Sequence, residues 1–290
     1  MGIIDLHTHS TVSDGTYSPS WLAHLARESG IAAFALTDHD NIGGLKRAAD
    51  EAEALGVEFI NGMELTTHID GRKIHVVTLG FDYEHPAFQK MYKKIRANKE
   101  SKMNELIEGI RARGVDITRE KVEEFADGEI DRYAVMRCLV SMHITEGIQP
   151  LWDNYLDPVL IEIGLSEIDA EEAFASIHAA GGVTSLAHFH KKIGFKGLSR
   201  DEQREKISRL HDVGLDGMER WYPSYKEDDV SFVNDTIESL HLMPTGGTDF
   251  HGFNRPHVEM GTGWNRNMAI PYEALAPVKE KIAEYHMKMK

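Results

Sequence analysis

A chain of 290 residues, 41% hydrophobic and 27% charged, is sized for one large domain or for one domain carrying an insertion, and it reads as globular. Its formal net charge of −15 disfavours broad binding to duplex DNA, which rests on many Lys and Arg contacts to phosphates. No apolar run is long enough to span a bilayer and no secretory leader is visible, while the single cysteine, Cys138, excludes an internal disulfide and a thiolate-rich zinc cluster. The expectation is a cytoplasmic protein that inserts in no membrane and holds any metal through nitrogen and oxygen.

In chain order, the first predicted strand is "GIIDL", which runs into His7-Thr8-His9. Strand side chains alternate faces, so His7 and His9 point to the same side. "SPSWLAHLARESG" follows as a helix, with Ser18 as N-cap, Pro19 in the first helical position and Gly30 as the stop. "AAFALT" is the next strand and leads into Asp38-His39-Asp40, where either aspartate, taken alone, reads as a helix cap. After the helix "GGLKRAADEAEALG" comes the strand run "VEFIN", and "FINGM" ends in Glu64. Asp70-Gly71 marks a tight hairpin, so "IHVVTLGF" runs antiparallel and His75 folds back beside Glu64.

From about Pro86 to Gly164 the alternation of strand and helix stops. "AFQKMYKKIRANKESKMNELIEGIRARG" predicts one long amphipathic helix, "TREKVEEFAD" a short one and "RYAVMRCLVSMHITEG" a third. This all-helical insertion has a plausible size for a lid or substrate-selecting module. The alternation resumes at "SEIDAEEAFASIHAAGG". "GVTSLA" leads into His188-Phe189-His190, "LDGMERW" is the next strand, and "LMPTGGT" leads into Asp249-Phe250-His251, before "PYEALAPVKEKIAEYHMKMK" closes the chain as a surface helix.

In parallel α/β sheets chemistry gathers at the carboxyl ends of the strands. Five strand ends here deliver His, Asp or Glu while the strand interiors stay apolar, a pattern that unrelated structural roles would not produce. The candidate ligands His7, His9, Asp14, His39, Glu64, His75, His188, Asp249 and His251 exceed the four to six that a single ion takes, so two or three ions are expected. This donor set suits Mn²⁺, Fe²⁺ and Zn²⁺ alike.

Together "DLHTHSTVSDGTYSP", "ALTDHDNIGG", "GMEL", "HVVTLGFD", "LAHFHK" and "GTDFHG" resemble the motifs of the polymerase and histidinol phosphatase (PHP) family, in order from Asp5 to His251. The likeness is strongest to its phosphoesterases acting on nucleoside 3′,5′-bisphosphates and 5′-phosphorylated short RNA, a group whose "YYPSH"-like segment is similar to "ERWYPSY" here. The resemblance implies a distorted seven-stranded β/α barrel of the TIM type, formed by 1–85 and 165–290, with the helical insertion over 86–164. It also implies a trinuclear site: His7 and His9 with Glu64 and Asp249 at one ion, Glu64 bridging to a second held by His75 and His188, and Asp14, His39 and His251 at the third. "IDRYAVMRCLV" resembles a family stretch whose first arginine meets substrate phosphate, which points to Arg132. The family's "AHPGR" reads Ala187-His188-Phe189-His190-Lys191, so the Pro-Gly pair is lost and a lysine stands where an arginine is expected. A lysine is a point charge without the planar two-pronged contact.

Ions sharing Glu64 would lower the pKa of a bridging water and clamp the phosphoryl oxygens, so phosphate ester hydrolysis is the expected reaction. His190 is a candidate for assisting the leaving oxygen, alongside a metal-bound water. Arg132 and Lys191 would hold a second phosphate, and Tyr222, Ser224 and Tyr225 would line a nucleoside pocket, with ordinary packing under a loop the competing reading for both tyrosines. The alternatives are a histidinol-phosphate or other small-monoester phosphatase, a metal-dependent amidohydrolase, and a non-catalytic PHP module serving a partner protein. Nothing like the carbamylated lysine of amidohydrolase barrels is indicated, and the intact ligand set argues against the module.

Overall fold

The computed structural model describes residues 2–128, 130–164 and 167–288. The chain opens with β1 (Ile3–Thr8), α1 (Pro19–Glu28), β2 (Ile31–Leu36), α2 (Leu45–Leu55), β3 (Glu58–Ile69) and β4 (Arg72–Leu79). Ser18 caps α1 by accepting from the Trp21 N–H, and Pro19 stands in the first turn, where its missing donor costs nothing. Asp70 and Gly71 take φ of +49° and +72°, the left-handed pair of a two-residue hairpin, and Ile69 faces Arg72 across it. β3 runs further than "VEFIN" suggests. It pairs with β2 as far as Asn61 and continues along β4 to Ile69, so Glu64 lies inside a strand rather than at its end, just past the point where β2 stops.

By its contacts the chain divides into two compact units, Met1–Met91 with Glu167–Lys290, and Tyr92–Ser166. The second is helical: after α3 (Pro86–Ser101) come α4 (Met103–Arg111), α5 (Arg119–Glu123), α6 (Arg132–Ser141), α7 (Ile148–Leu151), a π-helical turn (Trp152–Leu156) and α8 (Asp157–Glu162). The single helix expected from "AFQKMYKK" onward is thus two helices. At the break the Ser101 hydroxyl donates to the Asn98 carbonyl at 2.7 Å, a back-bond that competes with the helical ladder. This unit has its own core of Met103, Leu106, Ile110, Ile117, Leu139, Leu156 and neighbours. Gly109 lets α4 approach α8, since a Cβ there would stand 2.4 Å from Val159 Cγ1.

The first unit resumes with β5 (Ile168–Asp169), α9 (Ala170–Ala179), β6 (Val183–Leu186), α10 (Arg200–Asp212), β7 (Gly217–Trp221), α11 (Glu227–Leu240), β8 (Met243–Gly246), β9 (Val258–Glu259), β10 (Gly263–Trp264), β11 (Ile270–Pro271) and α12 (Ala276–Lys288). Ser166, where the resuming run begins, and Met289 and Lys290 of the tail lie outside the described residues. The main sheet has the order β11-β1-β2-β3-β4-β6-β7-β8, with β5 alongside β3. All seven predicted strand runs are present, and the two-residue β5 and β11 raise the count above seven. β4 is antiparallel to β3 and β6, and the other long neighbours are parallel.

Beyond β8, the His9 N–H donates to Phe250 O at 2.9 Å and the Phe250 N–H to His7 O at 3.3 Å, so the segment after the last strand returns to the first and the sheet nearly closes into a barrel. An apolar cluster including Ile4, Leu6, Val77, Leu79, Val183, Leu275 and Val278 joins the strands to the C-terminal helix α12. Among the described residues no helix is long and apolar enough to cross a membrane.

Candidate metal centre

The strand ends converge on Glu64, whose side chain is fully buried. Its Oε1 lies 2.8 Å from His188 Nε2 and 2.9 Å from His75 Nδ1, and its Oε2 lies 3.0 Å from His39 Nδ1, 3.2 Å from His9 Nε2 and 3.3 Å from His7 Nε2. Asp249 Oδ1 faces the same group, 3.3 Å from His9 Nε2 and 3.5 Å from His7 Nε2. Asp14 Oδ1 is 3.2 Å from His251 Nε2, and Asp14 Oδ2 is 3.7 Å from His39 Nε2. Ligand atoms lie within 4.8 Å of one another in three sets: His7, His9, Glu64 and Asp249; His9, Asp14, His39 and His251; and His39, Glu64 and His75. The first has the members that the family resemblance assigns to one ion. In the second His9 is an additional member, and in the third His39 takes the place assigned to His188, which approaches the set through Glu64 Oε1.

A second layer of buried carboxylates fixes this ring from behind, and sequence reasoning missed most of it. Glu219, on β7, accepts from His7 Nδ1 at 2.7 Å and from the His188 main-chain N–H at 2.6 Å. Such outer partners set which ring nitrogen faces a metal. Asp38 and Asp40 cap no helix. Asp38 accepts from Ser10 and Ser13 and so pins the loop carrying Asp14, and Asp40 accepts from the Thr66 N–H and hydroxyl. Asp5 takes the Thr248 N–H and hydroxyl, tying the end of β8 to β1. That approach demands glycine at 247, where a Cβ would stand 2.4 Å from the His7 backbone nitrogen. Asp40, His188 and Asp249 all take positive φ, 49°, 25° and 55°, a strain that recurs at functional sites.

The donor set fits a divalent cation. The His251 Nδ1–H donates to the Asp249 carbonyl at 2.7 Å, which leaves Nε2 as a lone pair turned toward a carboxylate oxygen. His7 Nε2, His9 Nε2, His251 Nε2, Glu64 Oε2 and Asp249 Oδ1 are buried without a hydrogen-bond partner among the described residues. Each such atom ordinarily costs about 1–3 kcal/mol, and cations accept lone pairs of this kind. Burial alone would raise the carboxyls of Glu64 and Asp14, but the surrounding imidazoles prevail and hold both well below the usual range. Burial pushes His39 down to about 4 and His188 to about 3, so both rings are neutral at pH 7.

Comparison with known proteins agrees with this geometry. A family model described as the PHP domain matches residues 5–155, more than half of the chain. The 5′-3′ exoribonuclease of Haemophilus influenzae is 31% identical over 96% of this chain and 98% of its own length. The chain belongs to the PHP family. The 3′,5′-nucleoside bisphosphate phosphatase of Chromobacterium violaceum is 29% identical over 87% of this chain and 88% of its own. The fold matches that of a Bifidobacterium adolescentis protein inferred to be a metal-dependent phosphoesterase, with a TM-score of 0.82 and 24% identity over 96% of both chains.

At the rim of this PHP site, Asp249 Oδ2 accepts from the Tyr222 hydroxyl at 2.5 Å, from Lys191 Nζ at 3.3 Å and from the Arg255 guanidinium. Lys191 Nζ also lies 4.8 Å above the Tyr222 ring. Arg255 is not among the residues expected from the sequence, where its signal is its place four residues beyond His251, inside "GTDFHGFNRP". His190 Nε2 meets Ser224 Oγ at 2.9 Å, and burial pushes this ring to about 4. At neutral pH His190 is uncharged, which suits a hydrogen-bonding group better than a proton donor. The Tyr225 hydroxyl donates to Glu219 O at 3.0 Å and its ring packs on Phe189, the arrangement of a packing residue. Arg132 belongs to the helical unit, where its Nη2 donates to the Tyr133 hydroxyl at 2.9 Å.

Proposed function

We propose that this PHP protein is a metal-dependent phosphoesterase that hydrolyses a phosphate ester of a nucleotide, either a nucleoside 3′,5′-bisphosphate or a short 5′-phosphorylated RNA, with two to three divalent cations in its site. The observation that carries the reading is Glu64, a fully buried carboxylate whose oxygens face five imidazoles at 2.8–3.3 Å. The nucleotide class is supported by the two relatives, one named for a nucleoside bisphosphate and one for RNA.

His7, His9, Asp14, His39, Glu64, His75, His188, Asp249 and His251 would hold the cations, and Mn²⁺, Fe²⁺ and Zn²⁺ all accept these donors. Bound cations supply Lewis acidity, activating water at neutral pH and offsetting charge on the phosphoryl group. The chain's own residues orient the site. Glu219 holds the His7 ring and the His188 backbone, and Tyr222 occupies Asp249 Oδ2 so that Oδ1 is presented to the cluster. Lys191, Ser224 and His190 stand at the rim as substrate contacts.

The test is phosphate release from adenosine 3′,5′-bisphosphate, 5′-phosphorylated di- to pentaribonucleotides and histidinol phosphate, side by side with added Mn²⁺. The expected outcome is release from one of the first two above histidinol phosphate, abolished by chelation. Faster turnover of histidinol phosphate would move the assignment to a small-monoester phosphatase. No release from any substrate would leave a non-catalytic module.

A further inference from the structure

We infer that Arg255 binds the phosphoryl group that reacts, acting together with Lys191. This rests on the phosphoesterase reading of the same site and names the side chain that recognises its substrate. Arg255 follows the short turn Gly252–Asn254, and Gly252, at φ +63°, permits that turn because a Cβ there would meet Thr16 Oγ1 at 2.1 Å. The turn brings Arg255 Nη1 onto Asp249, against Oδ2 and 3.3 Å from the main-chain carbonyl.

Two features point to an anion. The first is charge: Lys191 and Arg255 share a single carboxylate oxygen, which also takes the Tyr222 hydroxyl, and neither cation has another ion pair among the described residues. In a chain of net charge −15, one of two neighbouring cations is left without a carboxylate of its own. The second is geometry. Among the described residues the hydrogen bonds of this guanidinium all run through Nη1, so Nε and Nη2 remain as an adjacent pair of donors, on a side chain 36% exposed. An adjacent donor pair of this kind matches two oxygens of a phosphate, and Lys191, 34% exposed, adds a point charge beside it.

Position decides which phosphate. The other oxygen of Asp249 lies 3.3 Å from His9 Nε2 and 3.5 Å from His7 Nε2, so Arg255 and Lys191 stand one carboxylate away from the cluster. That is the place of the reacting phosphoryl group. Lys191 accordingly goes with the reacting phosphoryl group, rather than with the second phosphate expected from the sequence.

The experiment uses the full chain loaded with Mn²⁺ and inorganic phosphate as the probe. Titration calorimetry gives phosphate affinity, steady-state kinetics gives KM and kcat on p-nitrophenyl phosphate and adenosine 3′,5′-bisphosphate, and elemental analysis gives metal content, for wild type, Arg255→Ala and Arg255→Lys. The expected result for Arg255→Ala is about tenfold or greater weakening of phosphate binding and a matching rise in KM on both substrates, with metal content unchanged. Arg255→Lys should recover only part, because it restores charge without the fork. Loss confined to the bisphosphate, loss of metal at unchanged phosphate affinity, or full recovery in Arg255→Lys would each overturn the inference. Arg255-dependent phosphate binding in a wild type that cleaves no ester would refute the phosphoesterase reading and leave Arg255 a phosphate ligand with no reacting group. Turnover and phosphate affinity both indifferent to Arg255→Ala would overturn the inference and leave the phosphoesterase reading standing.

Discussion

The two compact units bury opposite kinds of atoms. Where the strands of the first unit converge, His7, His9, Glu64, His75, His188, Asp249 and His251 are all buried, with a second tier of Asp5, Asp38, Asp40 and Glu219 behind them. The helical unit buries Met, Leu, Ile and Val around Cys138, and among the described residues it holds no group of three potential metal ligands. Hydrogen-bonded strands fix the backbone well enough for polar side chains to be aimed inward, and each is satisfied by a neighbour or left with a lone pair for a cation. The helices of the second unit, packed by their apolar faces, show no such convergence among the described residues. Changes in the polar cluster of the first unit should therefore read out in chemistry and metal affinity, and changes in the apolar core of the second in stability.

The largest expected effect is at the centre of the ring. Glu64→Gln keeps the shape and removes the charge that cations share, so kcat should fall about a thousandfold or more, and retention of over about a tenth of wild-type turnover would show that Glu64 is misassigned. Leu139→Ala tests the opposite region. Truncating this fully buried side chain should cost about 2–5 kcal/mol in urea unfolding while leaving metal content intact, and loss of metal would break the contrast between the units. Glu219→Gln probes the second tier: it can no longer accept from both the His7 ring and the His188 backbone, so metal affinity should drop about ten- to a hundredfold with unfolding little changed.

A smaller effect is expected away from the site. Burial would raise the Asp216 carboxyl, but its bonds to His178 and the Tyr285 hydroxyl prevail and hold it below the usual range. A depressed folded-state pKa contributes stability that is present above the unfolded pKa and lost as pH falls through the folded one. Asp216→Asn should therefore lower Tm at pH 7 by an amount that shrinks toward pH 3, and an equal deficit at both pH values would mean the carboxylate's charge is irrelevant. His24→Ala, at an exposed pair with Glu51 on α1 and α2, should leave both turnover and Tm near wild type.

What the sequence made legible follows the same division. Strand runs ending in His-x-His or Asp-x-His stand out because apolar alternation stops abruptly at polar residues, and the hairpin at Asp70-Gly71 is written in its turn residues. Glu64 was found, but its place inside β3 was not, because where β2 stops depends on sheet pairing rather than on local pattern. Glu219 and Arg255 escape for other reasons: neither stands in a His-x-His or Asp-x-His motif, and only the closure of the sheet brings Glu219 against His7, while Arg255 reaches Asp249 through the local turn Gly252–Asn254. The long helix reads as unbroken in the sequence because amphipathic period carries through "NKESKMNEL", and no Gly or Pro marks the one-residue break at Lys102.

The central claim, that the histidine ring around Glu64 is a multinuclear metal centre, is tested most directly by counting metal. Protein purified without chelator and then soaked in Mn²⁺ should carry between two and three divalent ions per chain by elemental analysis, and Glu64→Gln should carry fewer. A saturated value of one or fewer in the wild type, unchanged by the soak, would contradict it.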